Sequence, residues 1–224
     1  MTPYASIINY HTFSYPVLPD DGASMEEFIP SGWSVLAVDS GDLDKDMTID
    51  IALVLEYNDS IRVDDNVLAQ PRVFAILFRN NKNGYDLALQ SDSLIPMNDQ
   101  WNMEDPFNEN CLSIKKGVLE LNFSVFHTAG SWCTTGYSYK FRYQNGEFLL
   151  IGADFSTFWR NGANPSAEYS YNFITGKKLT IISPADDDEN GGTEKKWSTI
   201  TGNRRVTLST FGDPFSWNFE GETH

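Results

Sequence analysis

Apolar residues in this chain alternate with polar ones or gather in short runs, such as Ile51 to Leu55 and Val73 to Phe78, and nowhere sustain the 3.6-residue spacing of an amphipathic helix. The runs are rich in β-branched and aromatic residues and are separated by Gly, Asn and Pro, which predicts strands and turns. Upstream, Ser34 to Val38, Asp50 to Tyr57, Val73 to Arg79 and Tyr85 to Gln90 read as four strands, about the content of one propeller blade. Downstream, Asn145-Gly146 between Phe141–Tyr143 and Phe148–Ile151 is a two-residue hairpin signal, because both positions tolerate positive φ. Similar punctuation at Lys116-Gly117, Thr175-Gly176 and Gly202-Asn203 predicts four successive hairpins, hence an antiparallel meander. Only Ser24 to Phe28 suggests a helical turn, stopped by Pro30. The expected fold class is all-β, a meander of hairpins arranged as a β-sandwich or in irregular propeller-like stacking. No motif recurs at a fixed period, which leaves the two arrangements level. The organisation expected is an N-terminal extension over 1–30 and a single all-β domain over 31–224, with a mobile acidic loop at 183–196, where Asp186, Asp187, Asp188 and Glu189 have little to bury.

Charge narrows the partners. The 224 residues hold 31 Asp and Glu against 16 Lys and Arg, a formal charge of −15. Nucleic acid and anionic bilayers are therefore poor partners, whereas basic proteins and divalent cations fit. No apolar run approaches the roughly 20 residues of a membrane-spanning helix, so no transmembrane segment is expected. The first residues, MTPYASIINYHTF, lack the basic start and apolar stretch of a signal peptide. An envelope protein whose leader has been removed would begin in this way.

One stretch carries specific chemistry. In GDLDKDMTIDIALVL, Asp42, Asp44 and Asp46 stand at positions one, three and five of a loop, Thr48 at seven and Asp50 at nine. Alternating carboxylates with a main-chain carbonyl at position seven suit Ca2+, which takes about six to eight oxygens at roughly 2.3–2.6 Å. Without a cation, the clustered carboxylates would raise one another's pKa. The EF-hand and the dockerin loop both want a ligand at position twelve and a following helix, but that position is Leu53, inside the strand-like alternation Ile49, Ile51, Leu53, Leu55. Asx turns joining two strands without any metal are the alternative reading of these aspartates.

Over Gly41 to Ile51 the chain resembles the FG-GAP repeat, the calcium-loop unit of integrin-α-type propellers, roughly G-D-x-[DN]-x-D-G-x-x-D-[LI]. It departs at Met47, where the repeat has glycine. More broadly, FIPSGW (Phe28 to Trp33), RVFAILFR (Arg72 to Arg79), YKFRYQNGEFLLIG (Tyr139 to Gly152) and SYNFITGKK (Ser170 to Lys178) are similar to a group of bacterial exported proteins with a single such loop. These resemblances imply a structural Ca2+ site and a periplasmic or cell-envelope location, and they bring no catalytic residues.

Other chemistry is weaker. There is no G-x-S-x-G elbow, and of His11, His127 and His224 only His127 lies beside nucleophile types, Ser131 and Cys133, without a third group to orient it. No zinc-type Cys/His cluster or phosphate-cradling loop occurs. Trp132, Trp159, Trp197 and Trp217 suit either core packing or stacking on sugar rings. The meander puts Cys111 and Cys133 at the starts of strands two apart, about twice the 4.8 Å strand spacing, and a disulfide between them is left open. The reading expected from the sequence is a non-catalytic calcium-binding envelope protein acting by protein-protein contact, in a narrower version an immunity-type inhibitor of a toxin. Its rival is a polysaccharide-binding module or glycoside-acting enzyme.

Overall fold

Residues 10–186, 191–201, 205–216, 218–219 and 222–223 are described by the computed structural model. The strands are β1 (Asp21–Gly22), β2 (Trp33–Gly41), β3 (Asp50–Tyr57), β4 (Ile61–Asp64), β5 (Val67–Ala69), β6 (Arg72–Arg79) and β7 (Tyr85–Ser91) in the first half. The second half holds β8 (Leu112–Lys115), β9 (Val118–Phe126), β10 (Cys133–Gln144), β11 (Glu147–Trp159), β12 (Ser166–Asn172), β13 (Lys177–Ser183) and β14 (Glu194–Thr199). They form a five-stranded antiparallel sheet in the order β1-β7-β6-β3-β2 and a seven-stranded meander running β8 to β14 in sequence order, with β4-β5 as a small separate hairpin.

The runs that look hydrophobic throughout in sequence are buried on both faces. In β3 and β6, Ala52, Val54, Phe74 and Ile76 face the meander and share one core with Leu119, Leu121, Tyr139, Phe141 and Phe155. Ile51, Leu53, Leu55, Val73, Ala75 and Leu77 face the other way, onto a second cluster closed by Leu18, Phe28 and Trp33. Two sheets over one shared core make a sandwich, and the described residues contain no radial set of blades. Segment 10–29 is the lid of that second cluster: Phe13 and Tyr15 lean on Trp33 and Tyr57, and Met25–Phe28 forms the helical turn expected there, a 3-10 turn. Burying Leu18 and Phe28, each at most 2% exposed, stabilises this attachment by about 1.5–3 kcal/mol apiece.

Three expected hairpins form. Asn145 and Gly146 have φ of 52° and 85°, and Lys116 and Gly117 have 54° and 70°, the paired positive angles of tight two-residue turns. The fourth does not. Its turn residues, Gly202 and Asn203, lie outside the described residues, but beyond them the chain crosses back to β11, where Thr207 bridges Leu149 and the Leu150 N–H donates to the Val206 carbonyl at 2.9 Å. Leu208 then begins a four-residue helix, α1 (Leu208–Phe211), whose Phe211 packs on Tyr139 and Phe141. The acidic loop is also narrower than 183–196, since Ser183 ends β13 and Glu194 opens β14; its centre, 187–190, lies outside the described residues.

Both cysteines are free thiols. Leu112 pairs with Leu121 on β9, whereas Thr134 pairs with Phe126 on the same strand, so Cys111 and Cys133 are displaced about 17 Å along the strand direction as well as sideways. Strand starts on the same side of a meander are not level when the strands differ in length.

Candidate metal centre

Residues 42–49 form the loop between β2 and β3, at the edge where the two sheets meet. The Ile114 N–H of β8 donates to Asp39 Oδ2 at 2.7 Å, tying β8 to β2 just before the loop. A Cβ on Gly41 would lie 2.6 Å from Ile114 Cγ2, and one on Gly117 would lie 3.2 Å from the Asp42 carbonyl, so both glycines permit this close approach. The loop is thereby wedged between the first hairpin and the β8-β9 turn. Leu43, fully buried, anchors it from below.

Asp42, Asp44 and Asp50 bring carboxylate oxygens within 4.8 Å of one another. Each is fixed by main-chain donors. Asp42 accepts from the N–H of Lys45 at 2.7 Å and of Met47 at 3.3 Å, and Asp44 accepts from the N–H of Asp46 at 3.1 Å. Asp50 is fully buried and accepts three N–H groups, from Leu43 at 2.8 Å, Asp44 at 3.4 Å and Arg79 of β6 at 3.0 Å. Among the described residues no Lys, Arg or His forms an ion pair with these three. Burial raises the Asp50 pKa, against the main-chain donors that lower it, and burial also raises that of Asp44, with the charges of Asp50, Asp46 and Asp42 adding to the rise. The cluster thus holds negative charge that costs free energy to keep ionised and that a cation would relieve.

The two other residues of the expected ligand set face differently. Asp46 Oδ1 accepts from the Thr48 N–H at 2.7 Å and from the Thr48 hydroxyl at 2.6 Å, and these hydrogen bonds hold the Asp46 pKa down. Asp46 and Thr48 are thus joined to each other in a local turn, and Asp46 is not one of the three carboxylates that converge. Sequence spacing did not show the Asp46–Thr48 hydrogen bonds, nor that Lys45 joins Met47, the residue at the repeat's glycine position, in the left-handed region, at φ of 69° and 72°. Asp50 was legible by parity: it shares its side of β3 with Ala52 and Val54, which face the shared core. Three convergent carboxylates, one of them rigidly buried, fit a hard divalent cation with oxygen ligands.

His127 offers no comparable chemistry. Its Nδ1 is buried without a hydrogen-bond partner, and its carbonyl accepts from Arg160, which sits over the Phe126 and Trp132 rings. No helix among the described residues is long and apolar enough to cross a membrane. No protein-family model, no curated protein and no solved structure matches this chain.

Proposed function

We propose that this chain is a calcium-binding, non-catalytic β protein of the bacterial envelope that works by contact with another protein, the cation serving to lock the edge where its two sheets meet. The observation that carries the reading is the convergence of Asp42, Asp44 and Asp50 without a compensating base. A cation there would neutralise the cluster and join β2, β3 and, through the Arg79 N–H on Asp50, β6. Its ties to β2, β3 and β6 favour a structural role. The protein-contact part of the reading is supported by charge distribution. Residues 1–110 hold 19 of the 31 acids and 5 of the 16 basic residues, a net −14, whereas residues 111–224 carry only −1. An acidic half of this kind speeds capture of a basic partner, as an immunity-type inhibitor would need.

The test is thermal melting of metal-stripped protein with and without Ca2+. A ligand bound only by the folded state adds about 2.7 kcal/mol at a hundredfold excess over Kd, so the melting temperature is expected to rise. Mg2+, which keeps its waters and demands octahedral geometry, is expected to do less. Identical curves in Ca2+ and in chelator would overturn the metal reading.

A further inference from the structure

The seven-stranded sheet turns one face to the core and the other outward, and the outward face carries a cavity of about 520 Å³. Register places Asn122, Ser138, Asp154, Ser170, Leu179 and Trp197 in one row across β9 to β14. The next row brings Ser156 beside Glu168. The middle of this groove is therefore built from short polar side chains together with Leu179 and Ile181, while exposed aromatic rings stand just beyond its lining. Trp197, 66% exposed, flanks Leu179 on one side, and Phe158, 60% exposed, continues the outward parity of Asp154 and Ser156 on β11. From strand spacing and rise the two rings stand about 20 Å apart, diagonally across the groove.

Its polar groups are arranged for a ligand of mixed character. Lys140 Nζ and Ser170 Oγ each donate to Asp154 at 2.5 Å, and Ser138 Oγ donates to Glu120 at 3.1 Å, so part of the floor is fixed in place. Asn122, Ser156 and Glu168 keep amide, hydroxyl and carboxylate groups with no partner among the described residues. Charges on this face are mixed: Glu120, Glu147, Asp154 and Glu168 stand beside Lys115, Lys140, Arg142, Lys177 and Lys195, in a protein of net −15.

We propose that this face binds a neutral, extended glycan, with Trp197 and Phe158 as stacking platforms and Asn122, Ser156 and Glu168 as hydroxyl-binding groups. A sugar ring offers an apolar C–H face to an aromatic ring and a rim of hydroxyls that both donate and accept, which matches platforms at the margins and unpaired polar groups between them. Nucleic-acid bases would also stack, but the molecule's net charge of −15 opposes phosphates. The site lies apart from the Asp42–Asp50 loop and stands or falls independently of calcium.

The experiment is titration calorimetry of the full chain with cellohexaose, maltohexaose and chitohexaose, at saturating Ca2+ and again in chelator. Saturable binding of at least one hexasaccharide is expected. Trp197→Ala and Phe158→Ala should each weaken it at least about tenfold, Glu168→Gln by less, and Trp101→Ala, at an exposed tryptophan elsewhere, not at all. Circular dichroism confirms that each variant is folded. Absence of binding for all three sugars at millimolar concentration, binding indifferent to either platform substitution, or preference for a mixed-sequence oligonucleotide or peptide of similar length would overturn the proposal.

Discussion

Met47 is held at φ 72° with its side chain 91% exposed, so it occupies a conformation costly for any side chain and returns no burial for it. Left-handed geometry costs a non-glycine residue roughly 1–2 kcal/mol, partly offset by the extra chain entropy that glycine loses on folding. Met47→Gly is therefore expected to tighten Ca2+ binding by up to about fivefold in a calorimetric titration, and weaker binding would mean that the Met47 side chain takes part in the closed loop. The aspartates divide in the same way. Asp50→Ala strips three main-chain N–H groups of their acceptor in a buried site, and at about 1–3 kcal/mol for each unsatisfied donor it should lower stability severely, as read by urea unfolding, and abolish Ca2+ binding. Asp46→Ala removes only an exposed turn with Thr48 and should leave calcium affinity within about threefold. Equal loss of affinity in both variants would place Asp46 in the coordination shell. Sequence showed all five residues at a calcium-loop spacing, but spacing fixes which residues can converge and not which ones do. The difference lies in main-chain N–H groups, Lys45 and Met47 donating to Asp42 while Thr48 draws Asp46 aside, and those directions depend on loop dihedrals that no composition reveals.

Strands and their tight turns were legible because both rest on local chemistry. β2, β3, β6 and β7 begin and end within four residues of their hydrophobic alternation, and the Asn145-Gly146 turn follows from two residues able to take positive φ. What the local pattern could not give is which element covers which. The stretch Tyr10 to Phe28 reads as an extension, yet it closes the second cluster, because β3 and β6 are apolar on both faces and a sandwich of two sheets covers only one of them. The return of the chain to β11 at Thr207 was hidden for the same reason. The docking of segment 10–29 can be probed through Tyr15, whose phenol burial pushes up to about 12 from an ordinary 10.0, Tyr10 and Asp92 adding to the rise. In an unfolded or detached segment the phenol ionises first, so the attachment is fully stable below about pH 10 and weakens as pH rises towards 12. Proteolysis of the N-terminal segment is expected to accelerate over that range in wild type. The dependence should flatten in Tyr15→Phe, and an unchanged profile would show that Tyr15 does not control the docking.

At the scale of the whole molecule the two sheets divide the charge, the acidic half carrying the loop and the near-neutral half the outward groove, so a cation and a neutral ligand would meet separate surfaces. The imbalance also sets how pH acts on the loop. Asp44 and Asp50 have raised pKa values, each chiefly through burial, so the metal-stripped fold binds more protons than the unfolded chain as these groups titrate. Its stability is undiminished below the ordinary carboxylate pKa of 3.8 and falls as pH rises through the raised values, where the two groups become charged without compensation. Calcium bound there would reverse that dependence, because the same carboxylates must ionise to coordinate it and binding would release their protons. The gap between melting temperatures with and without Ca2+ should therefore be smallest near about pH 4 and open as pH rises through the raised values. Paired melting scans across that range check this directly. A gap already full at about pH 4 would show that the cation is held by groups other than these two aspartates, and a gap that widened on acidification would place calcium outside the loop altogether.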